Sequence, residues 1–238
     1  MVGNDIVDLS DPESSRGANH LRFDRRVFTP KELEALSIEY SDVQRRWILW
    51  SAKEAAYKAA RRGGAEIVFY PARFVVELDR SLCGSVTVGD RRWSVRVQIG
   101  AECVHAVVSA NESFVGMLSS SRRLTSAERG DPSHAVRQFA IKSIAEALGV
   151  TASDLQIEKN GRIPQLIVAR EAAPVALSLS HHGAYMGFAC HDARFEKSAQ
   201  LPPSIARRES GAAALTLSGC GSDMNSVHRS DALQSALH

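Results

Sequence analysis

The sequence predicts an α+β protein made of two similar α/β lobes packed as a pseudo-dimer. Three observations point to it. A helix leading into strands occurs twice along the 238 residues. The stretches "WSAKEAAYKAA" and "FAIKSIAEALG" align without a gap, pairing Trp50 with Phe139, Lys53 with Lys142 and Ala56 with Ala145. Each half is also expected to close on a strand carrying a histidine, His105 in "VHAVV" and His181 in "LSHHG". A ligand site is then expected in the cleft between the lobes.

The opening "MVGNDIVDL" reads as a strand, because Val2, Ile6, Val7 and Leu9 supply β-branched and apolar character. "TPKELEAL" starts a helix at Thr29, with Pro30 first and Glu32 three residues past the cap. "SDVQ" repeats the start signal at Ser41, and that helix runs to Gly63 and Gly64. "EIVFYPARFVVEL" gives one or two strands around Pro71, and "SVTVGDRRWSVRVQ" alternates through a Gly89–Asp90 hairpin turn. "CVHAVVSA" is a further strand.

Residues 118–133 ("LSSSRRLTSAERGDPS") read as a linker between an N-terminal lobe, 1–117, and a C-terminal lobe, 134–195. The second lobe opens with an amphipathic helix closed by Gly149. Two strands follow around an Asn160–Gly161 turn, then "VALSLSHHGAYMGFAC", two strands pivoting at His182–Gly183. The tail, 196–238, is rich in Ser, Gly and Ala with little periodicity and is expected to be disordered.

Composition narrows the function classes. The net charge of +2 argues against a general nucleic-acid binder, since the basic residues are clustered rather than pervasive. Such clusters (Arg22, Arg25 and Arg26; Arg45 and Arg46; Lys58, Arg61 and Arg62; Arg91 and Arg92) suit phosphate-rich ligands or an acidic partner. The four cysteines form no C-x-x-C pair, which leaves neither a zinc site nor a disulfide framework. Without a recognisable signal peptide or a long apolar run, the chain reads as a cytoplasmic protein with no membrane partner.

"GNDIVDL", "RFDRRVFTPKE" and "WSAKEAAYKA" together resemble the 4′-phosphopantetheinyl transferases, whose signature is a G-x-D strand followed by a W-x-x-K-E-x-x-x-K helix. "GRIPQL" and "LSLSHHGAY" look like that family's G-K-P and S-H-x-G elements. The likeness covers roughly residues 1–60 and 134–190. The G-x-D strand comes first, as in the small holo-acyl-carrier-protein synthases, whereas two-lobed members usually carry the G-K-P and S-H elements first. Val7 stands where two-lobed members often have a second carboxylate. Asp8 is no simple substitute, because adjacent strand residues face opposite ways.

The resemblance implies transfer of phosphopantetheine from coenzyme A to a serine of an acyl or peptidyl carrier protein, by a monomer using Mg²⁺ or Mn²⁺. It implies Asp5 and Glu54 as metal ligands, with water completing the shell. Glu54 is also a candidate base for the serine hydroxyl, and the sequence does not separate the two roles. Lys58, one turn beyond Glu54, is expected on the diphosphate. Lys53 points about 100° away and is read as structural or as an outer phosphate contact.

By the same resemblance Ser180 and His181 bind nucleotide phosphates, with His182 as the other nearby candidate. Arg162 stands near the G-K-P lysine, and Lys142 is matched to a basic phosphate contact. His105 reads as a buried or edge histidine. Ser180 and His181 are not read as a hydrolase pair, because no G-x-S-x-G elbow is present. Arg22, Arg25 and Arg26 around Phe23 are expected to dock an acidic carrier helix, with Phe23 as apolar anchor. Two alternatives remain: a non-catalytic coenzyme A- or carrier-binding module of the same fold, and a nucleic-acid binder.

Overall fold

Strand β1 (Val2–Asp8) is the element around which both halves of the chain are arranged. The structure is a computed structural model describing residues 1–17, 21–36, 39–63, 67–161, 163–168, 171–173, 175–192 and 194–195. Arg162 and the tail 196–238 lie outside the described residues.

Three short helices follow β1: α1 (Pro12–Gly17), α2 (Leu21–Val27) and α3 (Pro30–Ala35). The long helix α4 (Asp42–Arg62) comes next. Both predicted starts are capping boxes, Thr29 with Glu32 and Ser41 with Gln44. "LRFDRRVF", read as a basic docking segment, is mostly the helix α2. Phe23 is half-buried on it, stacked against Phe28, Trp47 and Trp50 with ring centroids 5.5–6.3 Å apart.

The chain then forms β2 (Val75–Leu78), β3 (Cys83–Val88), β4 (Arg91–Ile99) and β5 (Cys103–Ser109). Before β2, Pro71–Arg73 is a 3₁₀ turn rather than a strand, because Pro71 lacks the N–H a ladder needs. The five strands form an antiparallel sheet in the order β1-β5-β4-β3-β2. The β3–β4 hairpin turns at Gly89–Asp90 as expected. Helix α4 covers the sheet, packing Ile48, Leu49, Ala52 and Ala56 against Val86, Val95, Ala106 and Val108.

The second half comprises β6 (Met117–Arg123), α5 (Pro132–Leu148), β7 (Leu155–Asn160), β8 (Ile163–Val168), β9 (Glu171–Ala172), β10 (Ala176–His182) and β11 (Tyr185–His191). The expected linker 118–133 therefore holds most of a strand, since β6 pairs with β11 along its whole length. The two sheets here run β10-β11-β6 and β7-β8-β9. Leu118, Ile144, Leu166, Leu177 and Phe188 form their core.

The halves share an order: a first strand, a helix, further strands, and a last strand paired with the first (β5 on β1, β11 on β6). That order corrects the histidine parallel. His105 lies on the closing strand β5, whereas His181 lies on β10, the strand before the closing one. The β10–β11 turn is centred on Gly183–Ala184, one residue later than expected. Among the described residues no helix is long and apolar enough to cross a membrane.

Candidate active site

Gly3 sets the geometry from which the site grows. A Cβ there would run into the Ala55 carbonyl oxygen, so glycine is what lets β1 lie directly on the α4 backbone. Two residues on, and so on the same strand face, Asp5 reaches α4. Lys58 Nζ donates to Asp5 Oδ1 at 2.6 Å. Glu54, one turn before Lys58, stands close enough to feel both charges.

The Glu54 carboxyl is pushed up to about 7, first by burial and then by the Asp5 carboxylate, with Lys58 opposing. Two carboxylates thus converge beside one ammonium group. Such an all-oxygen pair suits a hard divalent cation, whose charge would relieve the repulsion that raises Glu54. Val7, in place of the further carboxylate, is buried. Asp8 is also buried and faces the other way. Its Oδ1 accepts from the Ser10 N–H and hydroxyl, and its Oδ2 from the Ala184 N–H. Those bonds, assisted by His182, hold the Asp8 carboxyl below its ordinary value despite burial.

Lys58 also lines a cleft of about 280 Å³ between α4, α5, β7, β8 and β10. Arg61, Arg62, Arg137, Lys159 and His181 line it too, with Ser133, Val136, Pro164 and Leu179. No described lining residue is a carboxylate. The Arg62 guanidinium is lowered to about 10 by burial and by the Arg61 charge, although it donates to the Val2 carbonyl at 3.0 Å. Burial, Lys58, His182 and Arg137 lower His181 against the opposing pull of Asp131, and its Nε2 lies 3.3 Å from Ser133 Oγ. Among the described cations of the cleft only Lys58 has an ion-pair partner, Asp5, so the remaining positive charge suits an anion such as a phosphate group.

The predicted residues divide. Lys58 and His181 line this cleft; Asp5 is bonded to Lys58 behind that wall and Glu54 feels both charges, but neither carboxylate lines the cleft. Ser180 does not line it either: it is buried on the opposite strand face, where its Oγ accepts from Asn4 Nδ2 at 2.7 Å. The alternation that argues against a Ser-His hydrolase pair also separates these two residues. Lys142 is exposed and absent from the cleft; on α5 the arginine one turn from the N-terminus, Arg137, is the one that faces it. Arg162 lies outside the described residues. Lys159, which the sequence reading missed, pairs directly across the hairpin from Pro164 and supplies the cation there.

Lys53 is structural. Fully buried, its Nζ lies 2.8 Å from Glu32 Oε1 and donates to the Phe74 carbonyl at 2.7 Å. Glu32 in turn caps α3 through the Thr29 N–H and accepts from the Val76 N–H, so the pair ties α3, α4 and β2 together. Burial lowers the Lys53 ammonium, with Glu32 opposing.

His105 is buried and lowered to about 3, first by burial, so it stays neutral. Arg22, Arg25 and Arg26 are exposed on α2. Phe23 faces inward instead of serving as a free anchor, because the Trp47 and Trp50 rings on α4 offer it a core site.

A second group of ligand-type side chains, Asp11, Glu13 and His182, gathers near the β10–β11 turn. The ring chemistry is wrong for a metal. His182 Nδ1 accepts the Asp8 N–H at 3.1 Å, which places the neutral ring's proton on Nε2 and turns a donor, not a lone pair, outward.

Among curated proteins no sequence matches the chain. The model of the 4′-phosphopantetheinyl transferase superfamily matches residues 1–108, a span that contains β1, α4 and the Asp5–Glu54–Lys58 group. Residues 1–108 are a domain of the 4′-phosphopantetheinyl transferase superfamily.

Proposed function

We propose that the protein transfers 4′-phosphopantetheine from coenzyme A to a serine of an acyl or peptidyl carrier protein. The observation that carries this reading is the grouping of Asp5 and Glu54 around Lys58, whose side chain lines a cationic cleft. The serine Oγ attacks the phosphorus bearing the pantetheine arm. The bond from that phosphorus to the bridging oxygen breaks, and adenosine 3′,5′-bisphosphate leaves.

Asp5 and Glu54 would hold Mg²⁺ or Mn²⁺, which when bound supplies charge neutralisation at the diphosphate. Lys58 balances charge developing on the leaving group. Arg61, Arg62, Arg137, Lys159 and His181 receive the nucleotide phosphates. Glu54 is also the candidate to accept the serine proton. The exposed arginines of α2 steer an acidic carrier, and Phe23 supports that helix from beneath.

We read the chain as two pseudo-symmetric units acting as a monomer, the second beginning at β6 (Met117–Arg123) rather than at 134; the shared order of elements supports the two-unit reading. The test is mass spectrometry of several apo carrier proteins incubated with the protein, coenzyme A and Mg²⁺. A phosphopantetheine mass gain that is lost in Asp5→Ala and Glu54→Ala is the expected result. Coenzyme A binding with no gain on any carrier would instead indicate a binding module.

A further inference from the structure

We propose that Asn4 is a positioning residue, pinning the Asp5–Lys58 wall of the cleft in register with the His181 wall. The proposal rests on the transfer reading of that cleft. β1 is the edge of its sheet and β10 the edge of another, and the two pack together without a backbone ladder between them. Their relative register is therefore set by side chains.

Asn4 and Asp5 are neighbours on β1, as Ser180 and His181 are on β10, and alternation sends one of each pair to either face. The inward members meet. Asn4 Nδ2 donates to Ser180 Oγ at 2.7 Å, and the Asn4 main-chain N–H donates to Ser178 Oγ at 2.9 Å. Asn4 and Ser178 are fully buried, where an unmade bond would cost most. Asn4 Nδ2 also lies 3.1 Å from His105 Nε2, which fixes the amide from the β5 side. Gly187 leaves room for that ring, since a Cβ there would stand 2.9 Å from His105 Nε2. The outward members are Asp5, through Lys58, and His181. A shift of β1 along β10 would separate them.

The test uses the full chain and adenosine 3′,5′-bisphosphate, with affinity measured by calorimetry without metal and fold followed by far-UV circular dichroism and melting. Ser180→Ala removes one hydroxyl, Ser180→Thr keeps it, and Asn4→Ala alone and combined with Ser180→Ala completes a cycle. Each alanine variant is expected to bind the bisphosphate about tenfold more weakly while keeping the wild-type spectrum. The double variant should be no weaker than the worse single, and Ser180→Thr should be close to wild type.

Folded alanine variants that bind within about twofold of wild type, or losses that multiply in the double variant, overturn the pin. Should Asn4→Ala not fold, the Ser180→Ala and Ser180→Thr comparison decides alone. A wild type that binds no bisphosphate overturns the transfer reading with it, whereas a binding wild type beside unaffected variants overturns the pin only.

Discussion

Replacing Glu54 by glutamine should stabilise the metal-free protein, although it removes a residue central to the proposed chemistry. The folded carboxyl is raised from its ordinary 4.5 to about 7 by burial and by Asp5. Between those values the folded state holds a proton that the unfolded state has released, so stability falls as pH rises through that window. At and above the folded value the full cost of the charge is felt. The displacement corresponds to about 3 kcal/mol, and partial exposure of the side chain brings it to about 2 kcal/mol. Glutamine keeps the shape without the charge.

With a chelator at pH 8, Glu54→Gln should therefore melt about 4–8 °C above wild type for a chain of this size. Most of that gain should vanish at pH 5, where the folded wild-type carboxyl is protonated. Adding Mg²⁺ at pH 8 should raise the melting temperature of wild type and leave the variant nearly unmoved. Differential scanning calorimetry reads all three conditions. A variant that melts below wild type in chelator at pH 8, or an equal Mg²⁺ response in both proteins, would refute the electrostatic picture of the site.

Arg137→Ala should weaken adenosine 3′,5′-bisphosphate binding about tenfold, whereas Lys142→Ala should leave it unchanged; calorimetry separates them, and the reverse order would contradict the cleft. Lys58→Met should reduce phosphopantetheine transfer at least about 100-fold while preserving the circular dichroism spectrum. Retained turnover would remove Lys58 from the mechanism. Breaking the buried pair with Lys53→Met should cost about 3–5 kcal/mol in urea unfolding, and adding Glu32→Gln should recover part of it. Reversing Arg22 and Arg25 to glutamate should raise the KM for the carrier protein and spare coenzyme A; an unchanged carrier KM would move the docking surface elsewhere.

Local chemistry made much of the fold legible. Thr29, Ser41, Pro30 and the Gly89–Asp90 turn act within a few residues of themselves, and each lies where its signal says. Strand β6 was hidden because "LSSSRR" has no apolar alternation. Ser119 and Ser120 are nonetheless buried, since small hydroxyls pack tightly beside β11 where larger polar groups could not. Helix α2 was hidden for the opposite reason: its arginines dominate the stretch. Its orientation is fixed by Phe23 on the α4 tryptophans, by buried Val27 and by Asp24, which accepts two bonds from Arg46 at 2.6 Å.

The site was legible along each element and illegible between elements. Spacing alone puts Glu54 and Lys58 on one helical face, and parity alone puts Asp5 opposite Asn4 and Ser180 opposite His181. Neither rule says which face meets which partner. That choice is made by Gly3, which brings β1 onto α4, and by the hydroxyls of Ser178 and Ser180, which receive Asn4. The gapless alignment of the two helices misled for the same reason. It equated Lys53 with Lys142 by register, yet one is buried on Glu32 and the other faces solvent. The cleft-lining cations Lys58 on α4 and Arg137 on α5 occupy no equivalent positions in that alignment. Two halves that share an order of elements have therefore placed different residues at their common cleft, as a site between non-identical halves permits. One half supplies Lys58, Arg61 and Arg62, and the other supplies Arg137, Lys159 and His181.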